Sequence, residues 1–309
     1  MSKLTAVIGI LNQFELATQA LELAMHTLAE PKDTQILVID NGSSTPYLDH
    51  IKAAVKTYAE RVGELRIIRN PKNVGNYPLF FQAREQADGD AIAVIHSDLF
   101  IYGQHWDVHI KQWFEGEPQL GLIGFLGSSE IDNFGGRGMG TMSNFRGATL
   151  GRWTGSKAEI HGARIEDNGR RWAAVVDGCA MVFRKEALAK IERKPEMPIH
   201  HHYDRLLSAQ ILELGYRVGV LGIAIDHISG QTANTQQQYQ DSAKQWFKEH
   251  LGIDTPEQWV DLRRDWFMNT MNPSRGKQPD QWDYATYLEA EYQFLKEYRD
   301  QKHLIPYHC

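Results

Sequence analysis

AIAVIHSDLFIY, residues 91–102, begins as a continuous apolar run, breaks at His96-Ser97-Asp98 and turns apolar again at once. A short run of this kind, without polar alternation, suits a strand covered on both faces. Neither glycine nor proline marks a turn at the break. An unpaired carboxylate at the end of a buried strand is costly, so Asp98 requires a partner. The same arrangement recurs upstream. TAVIGIL (5–11) leads to Asn12, QILVID (35–40) ends on Asp40 before Asn41-Gly42-Ser43-Ser44, and LRIIRN (65–70) precedes a turn at Asn73 to Gly75. Helical patterns fill the intervals: Phe14 to Leu28, with Leu16, Leu21, Leu23 and Leu28 among its apolar positions, then residues 48–62, then Tyr77 to Ala87. Strands alternating with helices predict an α/β layered sheet, largely parallel in this half. Asn12, Asp40, Asn73 and Asp98 then gather at the C-terminal ends of successive strands, where open α/β sheets bind ligands.

Several function classes are excluded or disfavoured. A dinucleotide site needs a glycine-rich turn directly after the first strand, and here that position reads Asn-Gln-Phe-Glu, with no Gly-Lys-Ser/Thr phosphate loop in its place. Nicotinamide binding, flavin binding and P-loop hydrolysis are poor readings. The net charge of −6 offers no global attraction to nucleic acid or anionic lipid, and no nucleic-acid partner is expected. Of the two cysteines, Cys179 lies in an apolar run and Cys309 is the last residue, so no disulfide framework is implied and a cytoplasmic, reducing location is expected. No segment approaches the roughly 20 apolar residues that span a bilayer, and MSKLTAVIGILNQFE reads as a first strand, not a secretory signal. The 309 residues suffice for one large domain with an appendage.

The ordered set VIGILN, VIDNGSS (38–44), NPKNVGNYPLFFQARE (70–85) and VIHSD (94–98), followed by VDGCAMVFRKEAL (176–188), HHYDRLLSAQILELGYRV (201–218) and AIDHISG (224–230), resembles the family 2 glycosyltransferases of GT-A fold. The resemblance covers about residues 4–230, giving an expected glycosyltransferase domain over 1–230 and an extension over 231–309. It implies a metal-dependent, inverting transfer of a sugar from a nucleotide-sugar, with UDP the family default, to an acceptor hydroxyl of a glycan or related molecule.

His-Ser-Asp stands where this family has Asp-X-Asp. The resemblance makes Asp98 a metal ligand, with His96 in place of the usual first Asp and in contact with the ribose, the sugar or a metal-bound water. Residues i and i+2 of a strand face the same side, so both can reach one ligand. Carboxylate and phosphate oxygens suit Mg²⁺ or Mn²⁺, and the added His tilts the choice toward Mn²⁺. Taken locally, Asp98 is also a turn cap. Asp40 reads both as a turn former before Asn-Gly and, by resemblance, as a contact to nucleobase or ribose. Asn12 is placed beside the base, Asn73 and Gly75 near the ribose and diphosphate, and Asn76 as a helix cap. Asp177-Gly178 is either a β-bulge or the segment that approaches the transferred sugar and acceptor. Asp204 is explained locally by the helix dipole in the first turn of a helix ending at Gly215, and by resemblance as the catalytic general base, with Tyr203 standing where Glu is commonest. His227 reads locally as a polar strand end, and by resemblance it completes the metal shell, with Ser229 and Gly230 in a loop closing over the donor. His200 to His202 do not share a face and are read as solvated or acceptor-facing.

DNFGGRGMGTMSNFRGATLGRWTG (132–155), with Arg137, Arg146, Arg152, Phe145 and Trp153, reads as a long loop, either acceptor-recognising or without a role. From about residue 231 a polar linker leads to three amphipathic aromatic-rich segments, expected to be helices that cover the acceptor cleft, pair two subunits as a homodimer or bind a partner. The competing function is a non-catalytic nucleotide-sugar or carbohydrate-binding protein on a degenerate donor site, motivated by His96 and Tyr203.

Overall fold

The computed structural model describes residues 3–12, 14–129, 141–145, 163–194 and 203–228. In chain order the strands are β1 (Leu4–Ile10), β2 (Thr34–Asp40), β3 (Glu64–Arg69), β4 (Ala91–His96), β5 (Leu99–Ile101), β6 (Leu120–Gly124), β7 (Leu126–Ser128), β8 (Thr141–Phe145), β9 (Ala163–Arg164), β10 (Arg170–Ala173), β11 (Val175–Val176), β12 (Ala180–Arg184), β13 (Arg217–Leu221) and β14 (Ala224–His227). The helices are α1 (Phe14–His26), α2 (Thr45–Tyr58), α3 (Asn76–Gln86), α4 (Trp106–Gly116), α5 (Lys185–Lys190) and α6 (Tyr203–Glu213). The expected mixed α/β architecture is present, and β1 to β4 are parallel to one another in the order β3-β2-β1-β4.

The continuous apolar runs are explained by period-two side-chain alternation with both faces covered. Ala6, Ile8 and Ile10 of β1, Ile36 and Val38 of β2, and Ala93 and Ile95 of β4 join Leu21, Val55 and Trp113 on the face covered by α1, α2 and α4. Val7, Leu37, Ile39, Ile92 and Val94 point the other way, onto Phe80, Leu188 and Leu207 of α3, α5 and α6. Each fully buried aliphatic side chain contributes about 1.5–3 kcal/mol. A one-residue slip of any of these strands would exchange the two faces.

Two sheets share the chain. The larger has eight strands, β10-β13-β6-β12-β4-β1-β2-β3, and the smaller runs β11-β7-β8-β14-β5 with β9 beside β8. The chain crosses between them repeatedly within a few residues: from β4 to β5 at Ser97-Asp98, from β6 to β7 at Phe125, from β10 to β11 at Ala174, from β11 to β12 at Asp177 to Cys179, and from β13 to β14 at Gly222-Ile223. The break in AIAVIHSDLFIY is therefore a turn between sheets, made without glycine or proline. Part of the glycine-rich 132–155 stretch, expected as loop, is a strand: β8 pairs with β7 and β14 and buries Met142. The glycines around Thr141–Phe145 hide a five-residue segment whose backbone is satisfied only by tertiary partners. The remaining expectations for 132–155, for His200 to His202, for Ser229 and Gly230 and for the extension over 231–309 lie outside the described residues.

The first helix ends two residues before the expected Leu28 because Asp107 draws the chain away. Its carboxylate, fully buried at the start of α4, accepts from the backbone N–H of Ala29 at 2.9 Å and of Glu30 at 2.8 Å. Asp107→Ala leaves both donors without that acceptor and is expected to lower stability by about 1–3 kcal/mol. Denaturant unfolding followed by circular dichroism should show a lower midpoint with an unchanged slope. An unchanged midpoint would contradict this role.

Candidate metal and nucleotide site

Sheet register brings the polar strand ends together. In the antiparallel β4–β12 ladder Ile95 pairs with Ala180, and the His96 N–H donates to the Cys179 carbonyl at 2.9 Å. In the β5–β14 ladder Leu99 pairs with His227, and the Ile228 N–H donates to the Asp98 carbonyl at 3.1 Å. Both ladders end on the seam between the sheets. His96, Asp98, Asp177, Cys179 and His227 are consequently held there by backbone hydrogen bonds rather than by loop placement alone.

Among these side chains, His227 Nε2 lies 3.3 Å from Asp98 Oδ1, and His96 Nδ1 lies 3.9 Å from the same oxygen. The two imidazole centroids are 5.7 Å apart. The donor atoms of His96, Asp98 and His227 all lie within 4.8 Å of one another, and so do those of Asp177, Cys179 and His227. Adjacent ligands of an octahedral ion with bonds of about 2.1 Å are separated by about 3 Å. The Asp98–His227 spacing fits a divalent cation without rearrangement, and the set combines one hard oxygen with imidazole nitrogen.

The electrostatics agree with that use. Burial pushes the His96 imidazole below its ordinary value, against an opposing pull from Asp98, which keeps the ring neutral and a competent donor. Burial by itself would raise the Asp98 carboxyl. The hydrogen bond to His227, with the charges of His227 and His96, outweighs burial and holds it low. Asp98 is therefore a carboxylate at neutral pH.

Tyr203 completes the site from behind, and sequence reading noted it only as a departure at that position. Its hydroxyl lies 2.7 Å from His96 Nε2. The phenol is raised well above its usual range by burial, reinforced by the Asp204 and Asp177 charges and by Cys179, so it stays protonated. Gly178 lies against it: a Cβ there would sit 2.4 Å from the hydroxyl oxygen. Ser208, one turn into α6, donates to the Asp204 carbonyl at 2.7 Å and accepts from the Val176 N–H at 3.3 Å. The start of α6, with Asp204, is thereby fastened to the strand that leads into Asp177. Asp177 Oδ1 accepts from the Cys179 N–H at 2.8 Å, closing a tight local turn.

The other expected residues form a second cluster on the ends of β1, β2 and β3. Asn12, with φ of 52°, donates its N–H to Ser43 Oγ at 3.0 Å and accepts from the Ser44 N–H at 2.9 Å. Buried Asp40 accepts from the Ser43 N–H at 2.9 Å and from Arg69 Nη1 at 2.5 Å. Its turn-forming role is thus present. Asn73 Oδ1 accepts from the Gly75 N–H at 2.8 Å, and Gly75 enters α3 with φ of 86°. Asn41, overlooked in the sequence, is the hub: it donates to Asn73 Oδ1 at 2.8 Å and accepts from Asn70 Nδ2 and the Val74 N–H. The signal was its place inside Asp-Asn-Gly-Ser, where the flanking turn residues drew the attention. Register relates the two clusters. Asp40 pairs with Ile10 and His96 pairs with Gly9, so two strand spacings, roughly 10 Å, separate them.

Among the described residues no helix is long and apolar enough to cross a membrane. Compared with known proteins, the sequence family described as "Glycosyl transferase family 2" matches residues 5–192. No curated protein sequence matches. Among solved structures, the chain is similar to the mannosyltransferase PcManGT from Pyrobaculum calidifontis, in complex with GDP-Man and Mn²⁺, at 12% identity and TM-score 0.56, over 98% of this chain and 85% of that one. It is also similar to GalNAc-T7 with UDP, GalNAc and Mn²⁺, at 10% identity and TM-score 0.57, over 98% of this chain and 58% of that one. S. aureus TarS matches at 15% identity and TM-score 0.51, over 86% of this chain and 43% of that one. The chain thus spans well under two thirds of the latter two.

Proposed function

The chain belongs to glycosyl transferase family 2, and from that premise we propose that it transfers a sugar from a nucleoside-diphosphate donor to an acceptor hydroxyl, with inversion at the anomeric carbon. The observation that carries this reading is the meeting of Asp98 and His227, remote in sequence, at 3.3 Å on the seam of the two sheets. A divalent cation held there, with Mn²⁺ favoured over Mg²⁺, would neutralise charge on the departing diphosphate. The nucleoside lies along the β1–β2–β3 ends, with Asn12 beside the base, Asp40 on the base or ribose, and the loop that Asn73 and Gly75 shape near the ribose and diphosphate. The roughly 10 Å between Asp40 and His96 suits a nucleoside joined to a diphosphate. Asp177 faces the sugar, and Asp204 takes the proton of the acceptor hydroxyl as general base. Solved structures of the same fold carry Mn²⁺ with a guanosine donor in one case and with UDP in another. For this chain UDP is the proposed nucleotide and a glycan the proposed class of acceptor. A homodimer through the residues after 230 is proposed as the assembly.

The second reading, a non-catalytic nucleotide-sugar binder, draws on His96 and Tyr203 departing from the family pattern. Thermal melting with UDP-sugars and GDP-sugars, each with and without Mn²⁺, tests the binding. A specific ligand at a hundred times its Kd adds about 2.7 kcal/mol. Slow release of nucleoside diphosphate in the stabilising mixture is expected of the enzyme. Stabilisation without any release would favour the binder, and neither effect would remove both readings.

A further inference from the structure

The two residues that break the family pattern are bonded to each other across 107 positions: His96 Nε2 lies 2.7 Å from the Tyr203 hydroxyl. The phenol is held firmly. It is buried, it packs on Phe80 with centroids 5.3 Å apart, and Gly178 leaves no space for it to move toward the β11–β12 turn. A ring whose Nε2 is committed to a fixed partner has its Nδ1 aimed elsewhere, and here that atom faces Asp98 Oδ1 at 3.9 Å. His96 Nδ1, Asp98 Oδ1 and His227 Nε2 form a compact triangle around one point, its described edges being 3.9 and 3.3 Å.

We infer that His96 is a third protein ligand of the divalent cation, binding through Nδ1, and that Tyr203 is the positioning residue that holds its ring. This deepens the reading in which Asp98 and His227 hold that cation, and it rests on it. A ligating imidazole ordinarily gives its second N–H to a fixed acceptor, which sets the tautomer and the ring orientation. In this reading the phenolic oxygen is that acceptor, with the His96 proton on Nε2. Two imidazoles and one carboxylate on one side select a first-row transition ion such as Mn²⁺ over Mg²⁺, which favours oxygen ligands, and leave the opposite side for phosphate oxygens and water.

The test uses the full chain with Mn²⁺ alone, without donor or acceptor. Pulsed electron paramagnetic resonance counts the imidazole nitrogens coupled to the bound ion, and a titration gives its Kd. Two nitrogens are expected for the unmodified protein, and a single one overturns the inference without any variant being made. In His96→Gln one nitrogen should remain and Kd should weaken, and in Tyr203→Phe Kd should weaken by about 10–100-fold, the scale of lost outer hydrogen bonds. Melting of each variant without metal separates this from a folding defect. A His96→Gln protein with the couplings and Kd of the unmodified chain would also defeat the inference, while loss of Mn²⁺ in Asp98→Asn would keep the two-ligand site standing. Mn²⁺ bound as tightly to Asp98→Asn as to the original would instead defeat the cation reading itself.

Discussion

Asp98→Asn is expected to lower both sugar transfer and slow donor hydrolysis by about a thousandfold or more, equivalent to about 4 kcal/mol of lost transition-state stabilisation. The substitution keeps the size of the side chain and removes its charge. Both His96 and His227 approach the Asp98 carboxylate, at 3.9 and 3.3 Å. An amide there offers a single neutral oxygen and a competing NH₂ group. Binding of Mn²⁺ and Mn²⁺-dependent donor stabilisation should therefore disappear together. The fold should persist, because the backbone bond from Ile228 to the Asp98 carbonyl does not involve the side chain. Steady-state rates measured across a range of Mn²⁺ concentrations check this. Activity that returns fully at high Mn²⁺ would mean the carboxylate contributes affinity and no further stabilisation. Unchanged activity at low Mn²⁺ would remove Asp98 from the metal.

Asp204→Asn should produce a different pattern. Turnover is expected to fall by about two to four orders of magnitude, the scale of a lost general base, while Mn²⁺ binding and the donor KM change little. The local structure supports such a separation. Asp204 Oδ1 accepts from the Arg205 N–H at 2.9 Å, which an asparagine oxygen can also do, and the Ser208 link runs through the Asp204 carbonyl. The variant keeps the start of α6 and its attachment to β11 while losing only the ability to take a proton. Single-turnover measurements with saturating donor isolate the transfer step. Unchanged turnover would assign Asp204 to the helix dipole alone.

Much of this site was written in short segments. The strand ends at Asp40 and His227, the turn at Asn73 to Gly75 and the start of α6 at Tyr203-Asp204 all fall where apolar periodicity and turn chemistry put them. Two local arguments were incomplete. Asp98 does reach the same point as His96, but it does so from a turn between two sheets and not by alternation along one strand. Asn12 and Asn73, expected at the ligand, make hydrogen bonds that tie the loops together. Side-chain amides next to turns serve backbone donors readily, and that competing use is invisible until the loops are placed. The strand at Thr141–Phe145 was hidden for a related reason: its neighbours in sequence signal a loop, and its neighbours in space make it a strand.

By itself the sequence determined the layered α/β fold, the parallel first half, the absence of a glycine-rich phosphate turn and the positions of the polar strand ends. Each of these is decided within about ten residues, by side-chain period and by the backbone preferences of turn formers. Only the tertiary structure decided which of those ends meet. The pairing of Ile95 with Ala180 and of Leu99 with His227 fixes the ladders that bring His96 beside Cys179 and Asp98 beside His227. The phenol of Tyr203 reaches His96 only because α6 packs behind that seam. Such contacts join residues far apart in the chain, and no local propensity encodes them; they follow from the single register in which both faces of the sheet are buried.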